Sequence, residues 1–151
     1  MNKQTGFTLI ELMITIAIVS ILSVTSFFVY HTWLQRVYGQ EATLMVKDIL
    51  DAQIIYYLDK NSFYPEGGSE PILIPDSDDA STQQNVADVL SALKVNIPPD
   101  HNLEYQLTSW GDDFQVSVTA AFPLFKDGYN QLIGHIDSHG EITVLPAQVG
   151  G

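Results

Sequence analysis

From Phe7 to Tyr30 the chain reads FTLIELMITIAIVSILSVTSFFVY, apolar on every helical face, and no Asp, Glu, Lys or Arg occurs between Leu12 and Gln35. At about 1.5 Å rise per residue, such a run wound as a helix spans the roughly 30 Å hydrocarbon core of a bilayer. Its many β-branched residues lower helicity in water. In lipid a helix is nearly compulsory, because every backbone N–H and C=O must be satisfied within the segment. Past this run the pattern changes rather than stops. Leu34, Tyr38, Ala42, Met45, Ile49, Ala52 and Tyr56 recur at gaps of three and four, one face of an α-helix, while Gln35, Gln40, Glu41, Lys47, Asp48 and Asp51 decorate the remainder. No proline interrupts residues 7–60, and Gly39 alone weakens helix propensity there. The pattern predicts one helix of about 50 residues and about 80 Å. Residues 7–30 form its membrane-spanning half and residues 31–60 an amphipathic half that docks on a globular head.

The head is expected over residues 61–151. Pro65, Gly67, Gly68, Pro71 and Pro75 exclude helix from most of an acidic loop, in which Ile72-Leu73-Ile74 reads as a short strand or a loop anchor. Val86, Val89, Leu90 and Leu93 give a short amphipathic helix, with Asn85 as its N-cap and Asp88 reaching back, stopping by Pro98-Pro99. Strands follow. Leu103, Tyr105 and Leu107 alternate, as do Phe114, Val116, Val118 and Ala120, with Trp110–Asp113 as the turn between them. Leu132–Asp137 and Glu141–Leu145 form a second pair around Ser138-His139-Gly140. Connections this short force antiparallel pairing. The fold class is therefore α+β: a long helix packed through Met45, Ile49, Ala52 and Tyr56 against an antiparallel sheet of three to four strands. The tail Pro146–Gly151 is expected to be mobile.

Composition sharpens this picture. The chain has 151 residues, enough for one ordinary domain, with 18 acidic and 6 basic residues and a net charge of −12. A surface that acidic repels phosphate backbones, so no nucleic-acid partner is expected. With no cysteine there is no disulfide, no thiolate nucleophile and no Cys-ligated metal. No Gly-x-Ser-x-Gly, phosphate-cradling glycine loop or His-Glu-x-x-His occurs, and enzymatic activity is not expected. His135, Asp137 and His139 alternate and would share a strand face for zinc, against the simpler reading of a polar strand end with a turn histidine. Asp112, Asp113, Asp127 and Asp137 lie in or beside turns, where carboxylates and carbonyls can gather calcium, and the simpler reading is solvated turn acids. The expectation is no cofactor and no metal, these four being the calcium candidates.

The apolar run opens on one anomaly. A secretory signal peptide fits it poorly, since the run is too long and lacks a small-x-small site before a polar mature start. A plain single-pass anchor fits, with Lys3 setting the N-terminus inside, but leaves Glu11 unexplained. A lone carboxylate at membrane depth costs several kcal/mol, roughly 3, when unpaired. No cationic side chain follows it in the helix before Arg36. Cutting the bond after Gly6 would create a cation, the Phe7 α-amine, one turn away. Two such charges can pair between neighbouring, staggered copies, which is a mechanism for ordered self-assembly.

The string Gly6-Phe7-Thr8-Leu9-Ile10-Glu11, after a short leader holding Lys3 and before an apolar span, resembles the processing and assembly signature of type IV pilins and pseudopilins. The resemblance implies that residues 1–6 are a leader removed by a prepilin peptidase between Gly6 and Phe7. It implies N-methylation of Phe7, which keeps the amine cationic, and storage in the inner membrane before polymerisation by an inner-membrane assembly platform. Phe7 and Glu11 would be the assembly residues, and the partner would be the chain itself, in a homopolymeric extracellular pilus. Two other readings fit the same pattern. One is a pseudopilin of a type II secretion system, forming a short periplasmic filament. The other is a minor pilin with a binding head. Phe63-Tyr64-Pro65 resembles the step that closes the long helix in this family. Phe28 and Ser20 stand where many bacterial pilins carry a proline and a glycine associated with melting of the helix.

Overall fold

A computed structural model describes residues 7–66, 70–77, 79–98 and 102–149. The chain divides into two compact units, Met1–Leu34 and Gln35–Gly151, and helix α1, Leu9–Lys60, contributes to both. In the first unit every side chain from Phe7 to Trp33 is exposed, and α1 is long and apolar enough to cross a membrane.

In the second unit α1 buries Gly39, Ala42, Met45, Val46, Ile49, Leu50 and Gln53. The expected stripe is present, with Tyr38, Ala52 and Tyr56 half-buried at its edge. The stripe is wider than the one row read from the sequence, because a helix on a sheet covers an arc of 100° or more and so takes in the neighbouring Val46, Leu50 and Gln53. These pack over a five-stranded sheet of order β1-β2-β3-β4-β5: Ile72–Ile74, Glu104–Trp110, Asp113–Thr119, Gln131–Ile136 and Ile142–Ala147. Each strand runs antiparallel to its neighbour. Tyr105, Leu107, Phe114, Val116, Val118, Leu132 and Ile136 line the inner face. Burial pushes the pKa of the Tyr105 hydroxyl up, with the charge of Glu41 adding to the effect.

Three expectations about the head need correction. The sheet has five strands rather than three or four, because Ile72–Ile74 pairs with β2 (Ile72↔Leu107, Ile74↔Tyr105). Three residues between Pro71 and Pro75 are too short to show alternation in sequence, yet Ile74 is buried and Leu73 exposed. The tail is ordered as far as β5 reaches: Pro146 pairs with Leu132 and Ala147 with Gln131, and the Val149 N–H donates to Asn130 Oδ1 at 3.0 Å. Proline is tolerated there because β5 is an edge strand. Helix α2 spans Ala80–Leu93, starting five residues before the expected cap. Its N-cap is Asp79, whose Oδ1 accepts the Thr82 N–H at 2.8 Å. Ser81 above all, then Thr82 and Ser77, hold that carboxyl far below the usual carboxylate range. Asn85 lies inside the helix and donates to the Leu73 carbonyl at 2.7 Å, tying α2 to β1.

A buried amide fixes the exit of α1. Gln53, fully buried, accepts the Tyr64 N–H through Oε1 at 2.9 Å and donates Nε2 to the Tyr64 carbonyl. The Ser109 hydroxyl donates to the Pro65 carbonyl. The Phe63-Tyr64-Pro65 step thus packs as expected and is also clamped. Gln53→Leu is expected to lower stability by about 2 kcal/mol, since it strands a buried N–H and C=O. The check is thermal unfolding of the detergent-solubilised protein, where Tm should fall by about 5–10 °C. The exposed Gln40→Leu should leave Tm where it is.

Candidate functional site

The apolar half of α1 begins at Thr8, and its start is built from two side chains. Glu11 Oε2 accepts the Thr8 N–H at 2.8 Å and the Thr8 hydroxyl at 2.7 Å, while Thr8 Oγ1 faces the Glu11 N–H at 3.3 Å. This is a capping box, in which the third helical residue reaches back to the cap. Sequence reading treated Glu11 as an orphan acid and passed over Thr8 as its partner. The Thr-x-x-Glu spacing ahead of an apolar run was the available signal. The charge of Glu11 stays uncompensated among the described residues, but its hydrogen-bonding capacity is partly met.

Beyond Glu11, the hydroxyls of the apolar half fold onto the helix's own carbonyls. Thr15 donates to Leu12 at 2.8 Å, Ser20 to Ile16 at 2.7 Å, Ser23 to Val19 at 2.7 Å, Ser26 to Leu22 at 2.8 Å and Thr32 to Phe28 at 3.0 Å. Hydroxyls satisfied in this way can enter hydrocarbon without an unpaired donor. Glu11 is therefore the one group of residues 7–30 that carries a charge into an apolar environment. Phe7 is 85% exposed, and the capping box directs the carboxylate toward the residue next to it. Gly6 and Lys3 lie outside the described residues, so the expected cleavage bond does too.

The metal candidates separate. Asp112 and Asp113 sit at the β2–β3 turn and Asp137 follows β4, all at one end of the sheet, while Asp127 lies in the β3–β4 connection at the other. Asp137 Oδ1 accepts the N–H groups of Glu141 at 2.8 Å and His139 at 2.9 Å. These bonds, Glu141's first, hold its carboxyl below the usual range. It acts as the organiser of the β4–β5 turn. His139 Nδ1 is 3.6 Å from Asp137 Oδ2, and His135 stands in β4 opposite Thr143. Among the described residues no three His, Asp or Glu side chains converge as metal ligands do.

Residues 1–27 match the family model described as the prokaryotic N-terminal methylation motif. A type IV major pilin protein PilE1 of Neisseria gonorrhoeae is 40% identical over 75 residues, which cover 50% of this chain and 35% of that protein. Two more proteins of that name and organism are 39% identical over 75 residues, covering 46% and 42% of their lengths. The chain spans less than half the length of these curated relatives. No solved structure matches it. Motif and fold together define a class of proteins with a long N-terminal helix, apolar then amphipathic, and an antiparallel sheet. Within that class, the N-terminal half of the chain is similar to type IV major pilins and its first 27 residues carry the N-terminal methylation motif.

Proposed function

We propose that the chain is a structural subunit of a type IV pilus-like filament. In this reading residues 1–6 are a leader cut between Gly6 and Phe7 by a prepilin peptidase, and Phe7 is N-methylated. Residues 7–30 hold the subunit in the inner membrane and then pack against sister copies, while residues 31–60 carry the head, 61–151, on the fibre exterior. The observation that carries the reading is the helix start: a single carboxylate, Glu11, held by Thr8 toward Phe7 at the head of an otherwise wholly apolar run. A carboxylate so placed recruits a cation at membrane depth, and the new α-amine of Phe7 is the cation that processing creates.

The capping box refines the pairing. The Phe7 amine is covalently within one residue of the Thr8 N–H, so the Glu11 carboxylate lies near the amine of its own chain as well as that of a neighbour. Assembly then exchanges or shares this pair among copies. The role is structural, in keeping with the relatives' description as major pilins. The same similarity supports a pilus over a secretion pseudopilus.

The test is mass spectrometry and electron microscopy of filaments sheared from cells. Long surface fibres made of a chain that begins at methylated Phe7 are expected. A protein found only in the envelope, with secretion lost on its deletion, would move it to the pseudopilins. A full-length chain keeping residues 1–6 would overturn the processing.

A further inference from the structure

Lys3 and Glu11 offset one another, so the whole net charge of −12 rests on the second unit. That charge is unevenly spread along the sheet. At one end lie the β2–β3 and β4–β5 turns with Asp112, Asp113, Asp137 and Glu141. The cation nearest in sequence to that end of α1, Lys60, is already paired with Asp59 at 3.0 Å. Between these turns and the last turns of α1 runs an open cleft of about 260 Å³. Its walls are Ile54, Tyr57, Leu58, Phe63 and Ile136, and Asp112 and Asp137 stand at its rim. Leu58 is 81% exposed.

The other end of the sheet carries the opposite feature. The β3–β4 connection makes a tight turn, with the Gly128 N–H bonded to the Phe125 carbonyl at 3.1 Å and Gly128 at φ 86°. Exposed Lys126 and exposed Asp127 are the two central residues of this turn, with Phe125 half-buried before them. Lys126 has no hydrogen-bond or ion-pair partner among the described residues, whereas Lys94 donates to the Ser91 carbonyl at 2.7 Å. The turn adjoins Gly39 through the Leu124 carbonyl, and Arg36, a second exposed cation, lies one turn earlier on α1. One end of the head is thus an apolar cleft rimmed by acids. The other is a turn that carries Lys126 beside Asp127, with Arg36 close by on α1; the lysine's alkyl stem suits apolar walls while its ammonium meets a carboxylate.

We propose that the Phe125–Gly128 turn of one subunit seats in this cleft of the next, with Lys126 against Asp112. Because socket and plug sit at opposite ends of the same sheet, the contact is heterologous and repeats without closing, as a filament requires. The inference rests on the filament reading and adds a head-to-head contact to the one made by the apolar helices. It also explains why strongly acidic heads can stack at all: each contact sets the unpaired cation of one copy on the acid rim of another.

The chain has no cysteine, so a pair can be introduced cleanly. Fibres of a Lys126→Cys, Asp112→Cys subunit, treated with a short bis-maleimide linker, should give a ladder on denaturing gels that runs well past the dimer. Each single variant should stop at dimer or monomer. Normal fibres without a ladder would overturn the contact while leaving the filament reading intact. Should the cysteine pair itself prevent fibre formation, a charge exchange decides. Lys126→Glu should cut fibre yield at least about tenfold through like-charge opposition, and Asp112→Lys in the same chain should restore it. Native yield from Lys126→Glu, or no recovery in the exchanged chain, would count against the contact. Absence of fibres from the unaltered chain would instead remove the filament reading itself.

Discussion

A Glu11→Ala subunit is expected to be made, processed and held in the membrane, yet to yield fibres at least about tenfold fewer than the native chain. Removing the acid makes residues 7–30 more apolar, so membrane retention should improve if it changes at all. Under the proposed processing, what is lost is the partner of the Phe7 amine, and leaving one member of a desolvated pair alone costs about 3–5 kcal/mol. Glu11 also has a second role, because it closes the capping box with Thr8. A cap is worth about 1 kcal/mol, too little for a tenfold loss without further contributions. Glu11→Gln separates the two roles. Its amide oxygen can still accept the Thr8 N–H, since glutamine serves in capping boxes, but its charge is gone. If the charge carries assembly, Glu11→Gln should fail as badly as Glu11→Ala, and Thr8→Val should keep most of the yield. If Glu11→Gln makes fibres at native yield, the acid serves the helix start alone and charge pairing is wrong. Fibre yield is read from sheared surface protein against total cleaved subunit.

The long helix and the alternating strands were legible because each rests on periodicity over five residues or more, and the antiparallel order because the connections are short. Leu103, Tyr105 and Leu107 alternate plainly, and their burial follows that alternation. What escaped was set by single contacts. Ile72–Ile74 joins the sheet because β2 has a free edge, which no pattern of three residues can announce. The start of α2 moved from Asn85 back to Asp79 because the cap depends on which side chain reaches an N–H, and the acidic loop holds several able to do so. Pro146 looked like the end of structure, and it lies in an edge strand where the missing N–H is harmless. At the site, Glu11 stood out for its charge, while Thr8 was overlooked because a threonine in an apolar run reads as filler. The clustering of calcium candidates failed for a topological reason: Asp127 and Asp137 are close in sequence but lie at opposite ends of β4.

Gly39 illustrates the limit of propensity most sharply. Read along the helix, Gly39→Ala ought to help by about 1 kcal/mol, because glycine is a poor helix former. The structure reverses the sign. A Cβ at Gly39 would stand 2.6 Å from the Leu124 carbonyl oxygen, a backbone atom of the β3–β4 connection that the neighbouring Leu124 N–H···Tyr129 carbonyl bond at 2.8 Å holds in place. Either α1 or that connection must shift, and overpacking of this kind costs about 1–3 kcal/mol. Gly134 makes the comparison. A Cβ there would meet Val46 Cγ1 at 2.6 Å, Leu50 Cδ1 at 2.9 Å and Val116 Cγ1 at 3.1 Å, all in the closed core, where the two valines have little rotamer freedom. Gly39→Ala is therefore expected to lower Tm by several degrees, about 5 °C, despite the propensity gain, and Gly134→Ala to lower it at least as far. Gly39→Val should cost more than Gly39→Ala, because its second branch adds to a clash that backbone cannot relieve. A Gly39→Ala protein as stable as native, or more so, would mean that the β3–β4 connection does not press on α1 at this point. The close approach that positions the Lys126 turn beside the helix would then have to be abandoned.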